Sequence, residues 1–252
     1  MQVDLSGRVA LVTGASGGIG RAIATGLAHA GATVAVHYNG NRTKAELIVN
    51  ELGHRAQAFQ ADLGSVDACI ALFDAVLAAY VHLDVLINNA GIGIMVSPEA
   101  PVSTWQVAWD KTLAVNARAP ALLCRLALQH FVARGGGRII NVASRAAFRG
   151  DTADLAAYAA SKGAMVSLTR TIARAYGKKG VRAFVVAPGF VRTEMAQKSI
   201  DTYGESFVLD DLALNRLTEP DDLAPIVTLL ASGLADHATG TTVDINAGSY
   251  VH

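Results

Sequence analysis

Tyr158 and Lys162 stand four residues apart in a stretch of helical spacing, Tyr158-Ala-Ala-Ser-Lys162. At that separation a phenol and an ammonium share one helix face, with Cβ atoms about 5–6 Å apart. A free tyrosine titrates near 10, so acid–base work near neutrality requires lowering it by roughly 2–3 units, or about 3–4 kcal/mol. One ammonium at about 4 Å supplies on the order of 4 kcal/mol at an effective dielectric near 20. The pair is therefore sufficient in magnitude to move a proton to or from a substrate oxygen, although a surface phenol and cation fit the same spacing. Ser144, 14 residues before Tyr158, follows an apolar run at 138–142. Its hydroxyl either donates to a substrate carbonyl oxygen beside Tyr158 or caps a turn.

A second constellation is rich in glycine. Thr13-Gly14-Ala15-Ser16-Gly17-Gly18-Ile19-Gly20 joins an apolar run at 8–13 to a helical pattern at 19–30. Such a turn lets a pyrophosphate approach the backbone closely and offers it the free N–H groups and positive dipole end of a helix. A tight turn without a ligand is the plainer alternative. No Lys followed by Ser or Thr comes after the glycines, which excludes a P-loop. In a dinucleotide site an acid about 20 residues further on holds the ribose hydroxyls of NAD. Here the count from Gly18 lands on Tyr38, in His37-Tyr38-Asn39-Gly40-Asn41-Arg42, where no acid stands. A carboxylate there would repel a 2′-phosphate, so its absence favours NADP(H) over NAD(H). Asn39 and Arg42 are the candidate donors, and Arg42 reads equally as a solvated charge at a helix start.

These groups need a scaffold. Short apolar runs at 8–13, 33–37, 56–61, 85–87, 138–142, 181–186 and 242–245 read as strands. Helical patterns fill 19–30, 43–52, 65–80 with Ser65 as cap, 104–134 with an interruption near Pro120, 155–176 and 220–232. Strands alternating with helices predict an α/β fold: a single-domain, Rossmann-type doubly wound parallel sheet of about seven strands, with helices on both faces, spanning 1–252. The mixed polar and apolar stretch at 192–216 reads as a helical flap over the substrate. Apolar residues make up 52% and charged residues 17% of the 252, which rules out a disordered chain. Twenty-one basic and 21 acidic residues leave no excess to neutralise a phosphate backbone, so nucleic acid is not an expected partner. No run is long enough to span a bilayer, and residues 1–8 lack the pattern of a secretory signal. Cys69 and Cys124 suggest neither a disulfide framework nor a zinc site, and a reducing cytoplasm fits best. His29, His37, His54, His82, His130, His237 and His252 show no close ligand spacing, so no metal is expected.

The glycine spacing Gly14-x-x-x-Gly18-x-Gly20 resembles the cofactor loop of the short-chain dehydrogenase/reductase family, and further motifs match in order. They are Asp62, Asn88-Asn89-Ala90-Gly91, Asn116, Ser144, Tyr158 with Lys162, Pro188-Gly189 followed by Thr193, Pro220-Asp221-Asp222 and Thr239-Gly240. The set covers almost the whole chain and looks most like the 3-oxoacyl-carrier-protein-reductase-like branch. The resemblance implies hydride transfer between a nicotinamide and a small carbonyl or alcohol substrate, with Tyr158 as acid and base. It implies that Ser144 orients the substrate oxygen, and that Lys162 lowers the phenol and bonds the nicotinamide ribose. It implies that Asn116 breaks its helix and holds a water in a proton relay. It places Gly14, Ser16, Gly17, Gly18, Ile19 and Gly20 on the pyrophosphate, Tyr38, Asn39 and Arg42 at the adenosine ribose, and Asp62 with Leu63 at the adenine. It places Asn89, Ala90 and Gly91 under the cofactor, and Pro188, Gly189, Val191 and Thr193 around the nicotinamide. Two departures stand out: Gly17 replaces a basic residue common in NADP-dependent relatives, and the Ser144–Tyr158 spacing is one residue longer than in many. The family is commonly tetrameric, so a homotetramer is expected, with Trp105, Trp109, Leu122, Leu126 and Leu128 read as core or as subunit contact. A non-catalytic sensor of NADP(H) and a methyltransferase are the rival classes; neither needs Ser144, Tyr158 and Lys162 together. Arg145, Arg149, Met195, Phe207 and Val208 border the expected pocket, the arginines as an attraction for an anion or, slightly preferred, as solvated surface.

Overall fold

The computed structural model describes residues 3–53 and 55–251; within that span the side chains of Met195, Lys198, Ser199, Thr202, Tyr203, Glu205 and Phe207 are not described. Expectations for Met195, Phe207, His54 and His252 thus fall outside it. Seven strands are described: β1 Val9–Val12, β2 Thr33–Tyr38, β3 Gln57–Gln60, β4 Val85–Asn88, β5 Gly137–Val142, β6 Val181–Pro188 and β7 Thr242–Ile245. All pair in parallel in the order β3-β2-β1-β4-β5-β6-β7. The chain winds outward from β1 in one direction and then from β4 in the other. That reversal leaves a crevice outside the carboxyl ends of β1 and β4, where open α/β sheets bind ligands.

The helices are α1 Gly18–His29, α2 Arg42–Leu52, α3 Val66–Tyr80, α4 Val102–Leu113, α5 Ala119–Ala133, α6 Ala146–Arg149, α7 Ala156–Tyr176, α8 Glu194–Tyr203, α9 Glu205–Leu209 and α10 Ala224–Ser232. Covered on both faces, β1 and β4 are buried throughout, which is why they read as unbroken apolar runs. Strand alternation sorts the core into two layers. Ala10, Val12, Val36, Ile140 and Phe184 pack with Ile23, Leu27, Ile48 and Val227 of α1, α2 and α10. Leu11, Leu86 and Ile139 pack with Phe73, Leu123, Phe131 and Ile172 of α3, α5 and α7. Among the described residues no helix is long and apolar enough to cross a membrane.

The interruption expected near Pro120 in the helix at 104–134 falls at 114–118, a π-helical segment centred on Asn116, the residue for which the resemblance implies a break. Pro120 lies in the first turn of α5, where a missing N–H costs little. Its influence falls upstream, because it cannot donate to the carbonyl four residues back, which is that of Asn116.

Candidate active site

The glycine turn is built from inside. Gly14 has φ 65, and its N–H donates to Nδ1 of His37 at 3.0 Å. Nδ1 is therefore the unprotonated nitrogen, and Nε2 donates to the Ala61 carbonyl at 3.1 Å. His37 is 2% exposed, and burial lowers its pKa to about 4. One neutral imidazole thus ties the loop after β1 to the ends of β2 and β3. Thr13 Oγ1 accepts from the N–H groups of Asn89 and Ala90 at 2.9 and 3.0 Å. The Asn89 side chain in turn donates to the carbonyls of Thr13 and Gly14 at 2.9 and 3.3 Å. Asn89, expected under the cofactor, works through its side chain as a staple on the glycine loop. A Cβ on Gly20 would lie 2.2 Å from the Gly14 carbonyl oxygen, so no other residue fits there. A Cβ on Gly18 would meet Thr193 Cγ2 at 3.2 Å, which puts the start of α8 directly over the turn.

α1 begins at this turn without a side-chain cap, whereas Asn41, Ser65 and Thr193 cap α2, α3 and α8. Its first N–H groups remain for an anion at the positive end of the helix, and Ser16, Gly17 and Ile19 line the approach. Tyr38 ends β2, buried, with Asn39 exposed beyond it. Arg42 forms an exposed pair with Glu46 at 2.7 Å, and Lys44 reaches Glu194 at 2.5 Å. Asp62 Oδ1 accepts from the Gly64 N–H at 2.8 Å, shaping the turn that follows Leu63. Uncapped helix, glycine cradle and acid-free ribose end together fit a nicotinamide dinucleotide.

The reacting end lies past β4, β5 and β6. Asn116 is fully buried, and its side chain accepts from the Ile92 N–H at 2.8 Å. It also donates to the Ile92 carbonyl at 2.8 Å and to Ser161 Oγ at 3.1 Å. The π-helical segment thus holds the 91–93 loop against α7. A Cβ on Gly91 would lie 3.2 Å from Lys162 Nζ, so glycine there admits the ammonium. Lys162 is buried and donates to the Val142 carbonyl at 2.9 Å. Desolvation lowers its pKa to about 8. Ser144 is buried and its Oγ accepts from the Ala146 N–H at 3.1 Å, the turn cap, while its hydroxyl also lies close enough to Tyr158 to act on the phenol's pKa. Past β6, a Cβ on Gly189 would sit 2.8 Å from that of Asn246, and Val191 pairs with Thr218 beside it.

Between Ser144 and Tyr158 the chain forms α6, a single turn that the sequence pattern does not signal. One electrostatic expectation is not met. The Tyr158 pKa is raised, first by burial and then by Asp151, and the Ser144 hydrogen bond only partly opposes this. The Lys162 ammonium is turned to the Val142 carbonyl, 5.7 Å from the Tyr158 ring centroid. Beyond the residues expected from sequence, His37, Thr13, Ser161 and Asn246 position the site. Thr13 carried a signal as the first residue of the glycine motif, and His37 as a lone imidazole ending an apolar strand beside the ribose position; Ser161 and Asn246 carried none.

A family model described as short chain dehydrogenase matches residues 8–204. The chain is 32% identical to 2-dehydro-3-deoxy-D-gluconate 5-dehydrogenase of Escherichia coli K12, over 97% of this chain and 96% of that one. It is 35% identical to a 3-oxoacyl-[acyl-carrier-protein] reductase of Staphylococcus aureus, over 96% and 98%. A short chain dehydrogenase of Burkholderia cenocepacia, crystallised in complex with NADP, superimposes with a TM-score of 0.89 at 34% identity, over 97% and 98%. With the parallel sheet, the glycine loop and the Ser144–Tyr158–Lys162 cluster, these matches identify the chain as a member of the short-chain dehydrogenase/reductase family, an oxidoreductase acting on CH–OH groups with NAD(P).

Proposed function

We propose that the protein interconverts a carbonyl and a secondary alcohol on a small molecule, with NADP(H) preferred over NAD(H). The observation that carries this reading is the Ser144–Tyr158 hydroxyl pair, with buried Lys162 one helical turn away, at the carboxyl edge of β5. When bound, the nicotinamide supplies or accepts the hydride. In oxidation Tyr158 takes the hydroxyl proton, and in reduction it returns one to the carbonyl oxygen. Ser144 donates to that oxygen and keeps it beside the phenol. Lys162 carries the positive charge that favours a tyrosinate, a role that burial of the phenol makes necessary. Asn116 keeps the 91–93 loop and α7 in register, and its backbone carbonyl, which Pro120 cannot engage, is the group proposed to hold a relay water.

The cofactor preference rests on the acid-free end of β2 and on Arg42 and Lys44 at the start of α2. Their partners are solvent-exposed, and exposed ion pairs are worth about 0–1 kcal/mol, so a 2′-phosphate competes for either cation at little cost. Gly17 has open space around it, which accommodates phosphate without supplying charge. A groove between α5 and α7, with Cys124, Leu128, Leu168 and Ile172 in its wall, supports assembly as a homotetramer. Both cysteines are free and buried, in keeping with a reducing cytoplasm.

The test is turnover of a panel of secondary alcohols and ketones with NADP(H) and NAD(H), in wild type and Tyr158→Phe. Wild type is expected to favour NADP(H) in kcat/KM. The variant should lose about 10²–10⁴ in kcat while still binding NADPH, read by its fluorescence. Near-normal turnover in the variant would overturn the role of Tyr158, and a strong NAD preference would overturn the cofactor assignment.

A further inference from the structure

The loop after Ser144 holds an arrangement that the hydride chemistry does not use. Arg145 follows Ser144 directly, and its N–H donates to the Pro188 carbonyl at 2.9 Å. Its guanidinium lies 4.9 Å from the Phe190 ring centroid, and the side chain is only 11% exposed. The side chain is thus packed against the nicotinamide loop rather than solvated. One turn on, Arg149 at the end of α6 faces the same way. Nη1 of Arg145 and Nη1 of Arg149 both donate to one oxygen, Oδ2 of Asp211, at 2.5 and 2.8 Å. Arg149 Nη1 also donates to the Ser249 carbonyl at 3.1 Å.

Asp211 is the foreign element in this cluster. It comes from the segment after α9, within the flap, and its side chain is 39% exposed. Two guanidiniums converge on a single carboxylate oxygen, and the other nearby acid, Asp151, acts on Arg145 more weakly. Each guanidinium gives one charge-assisted bond to the same oxygen, and another carboxylate oxygen placed there would accept both. The exchange would occur one residue from the hydroxyl that holds the reacting oxygen. The hydroxyls of an uncharged alcohol accept only weaker, single-charge hydrogen bonds from the arginines and would leave Asp211 seated.

We infer that Arg145 and Arg149 form a carboxylate-binding subsite for the substrate, and that Asp211 is a built-in competitor which a hydroxy or oxo acid displaces. This rests on the proposed carbonyl–alcohol chemistry and names its substrate class: small acids bearing the reacting oxygen some atoms from the carboxylate. Displacement undoes the side-chain tie between the flap segment and the two arginines, while the backbone bond from Ala213 to the Ala247 carbonyl keeps the segment in place.

The test uses the full chain, malonate as a carboxylate probe, and D-gluconate against D-glucitol as an acid and its neutral counterpart. Calorimetry should show malonate binding at least tenfold tighter in Asp211→Asn, which keeps the side-chain shape and removes the competing charge. Arg149→Gln, on the outer edge of the cluster, should weaken malonate at least tenfold and carries the test if the first variant does not fold. Asp211→Asn should raise the kcat/KM preference for acid over neutral substrate, and Arg149→Gln should lower it. Malonate affinity unaltered by either substitution would overturn the subsite. Inorganic phosphate binding as tightly as malonate, with the same response to both variants, would overturn its assignment to carboxylates. If malonate responds as expected while no alcohol or ketone is turned over, the subsite stands and the proposed reaction falls. If neutral alcohols turn over and neither variant shifts the preference, the reaction stands and the subsite falls.

Discussion

His37 makes the glycine loop sensitive to acid, and the size of the effect follows from its surroundings. The imidazole accepts from Gly14 through Nδ1, so protonation there sets one N–H against another and breaks the tie. Burial lowers the pKa from 6.5 to about 4. At about 1.4 kcal/mol per unit, that difference corresponds to roughly 3 kcal/mol of folding stability. Because the folded-state pKa lies below the unfolded one and the neutral form is the one buried, the contribution is fully present above about pH 6.5. It declines as pH falls from there and is gone below about 4. His37→Asn retains an acceptor near Nδ1 but does not titrate. Denaturant unfolding at fixed protein concentration, from pH 7.5 to 4, should show wild type losing about 3 kcal/mol more than the variant, since all other groups cancel in the difference. Cofactor affinity of the folded wild type should fall only at the acid end of this window, near the folded-state pKa of about 4. Parallel stability curves for the two proteins would refute the assignment of a neutral, loop-bearing imidazole.

Lys162→Met should abolish most turnover yet stabilise the fold at pH 7 by up to about 3 kcal/mol, because burial lowers this ammonium's pKa from 10.5 to about 8. The cost of burying its charge is present below 8 and vanishes as pH rises to 10.5, so the stability gap between variant and wild type should close over that interval in thermal melts. Gly20→Ala should cost more than the approximately 1–3 kcal/mol typical of overpacking, since its Cβ would lie 2.2 Å from a backbone oxygen. Loss of NADPH fluorescence enhancement together with a lowered melting temperature would report it, and an unchanged melt would contradict the geometry. Asn141→Ala removes the acceptor for Asn88 at 2.8 Å and the donor to Thr169 at 2.7 Å, both buried. A loss of about 2–4 kcal/mol in unfolding free energy is expected, and less than 1 kcal/mol would show the network to be dispensable.

The scaffold was legible because its physics is periodic. Buried parallel strands such as Val9–Val12 show as unbroken apolar runs, and Gly31, Gly53 and Ser65 punctuate the helices between them. The place of Ser144 just past the end of β5 was legible despite its unusual distance from Tyr158, since that strand could be placed independently. What did not show were features decided by three-dimensional neighbours. The break at Asn116 was implied by the resemblance, but the bonds that its side chain makes to Ile92, far upstream in sequence, were not. α6 is too short to carry a pattern. The Lys162 charge was placed on the right face of the right helix, but its direction depends on the Val142 carbonyl and its strength on burial. Arg145 reads as rim from sequence and proves packed, because Phe190 comes from another strand end.

The site's polar groups fall into two sets, and the division explains how a rigid frame leaves room for chemistry. Thr13, His37, Asn89, Asn116 and Asn141 make their hydrogen bonds within the protein, each joining segments remote in sequence. They lie at the strand ends, at the π-helical break and beneath the sheet edge, where a buried polar group without partners would cost about 1–3 kcal/mol. The second set is held by fewer bonds: the uncapped start of α1, the paired hydroxyls of Ser144 and Tyr158, and an ammonium whose three donors include one bond to Val142. These are the groups with capacity left for phosphate, substrate oxygen and ribose. The first set fixes their positions without taking up that capacity, so the frame can tolerate the burial of the Lys162 ammonium, a feature that a structure optimised for stability alone would discard.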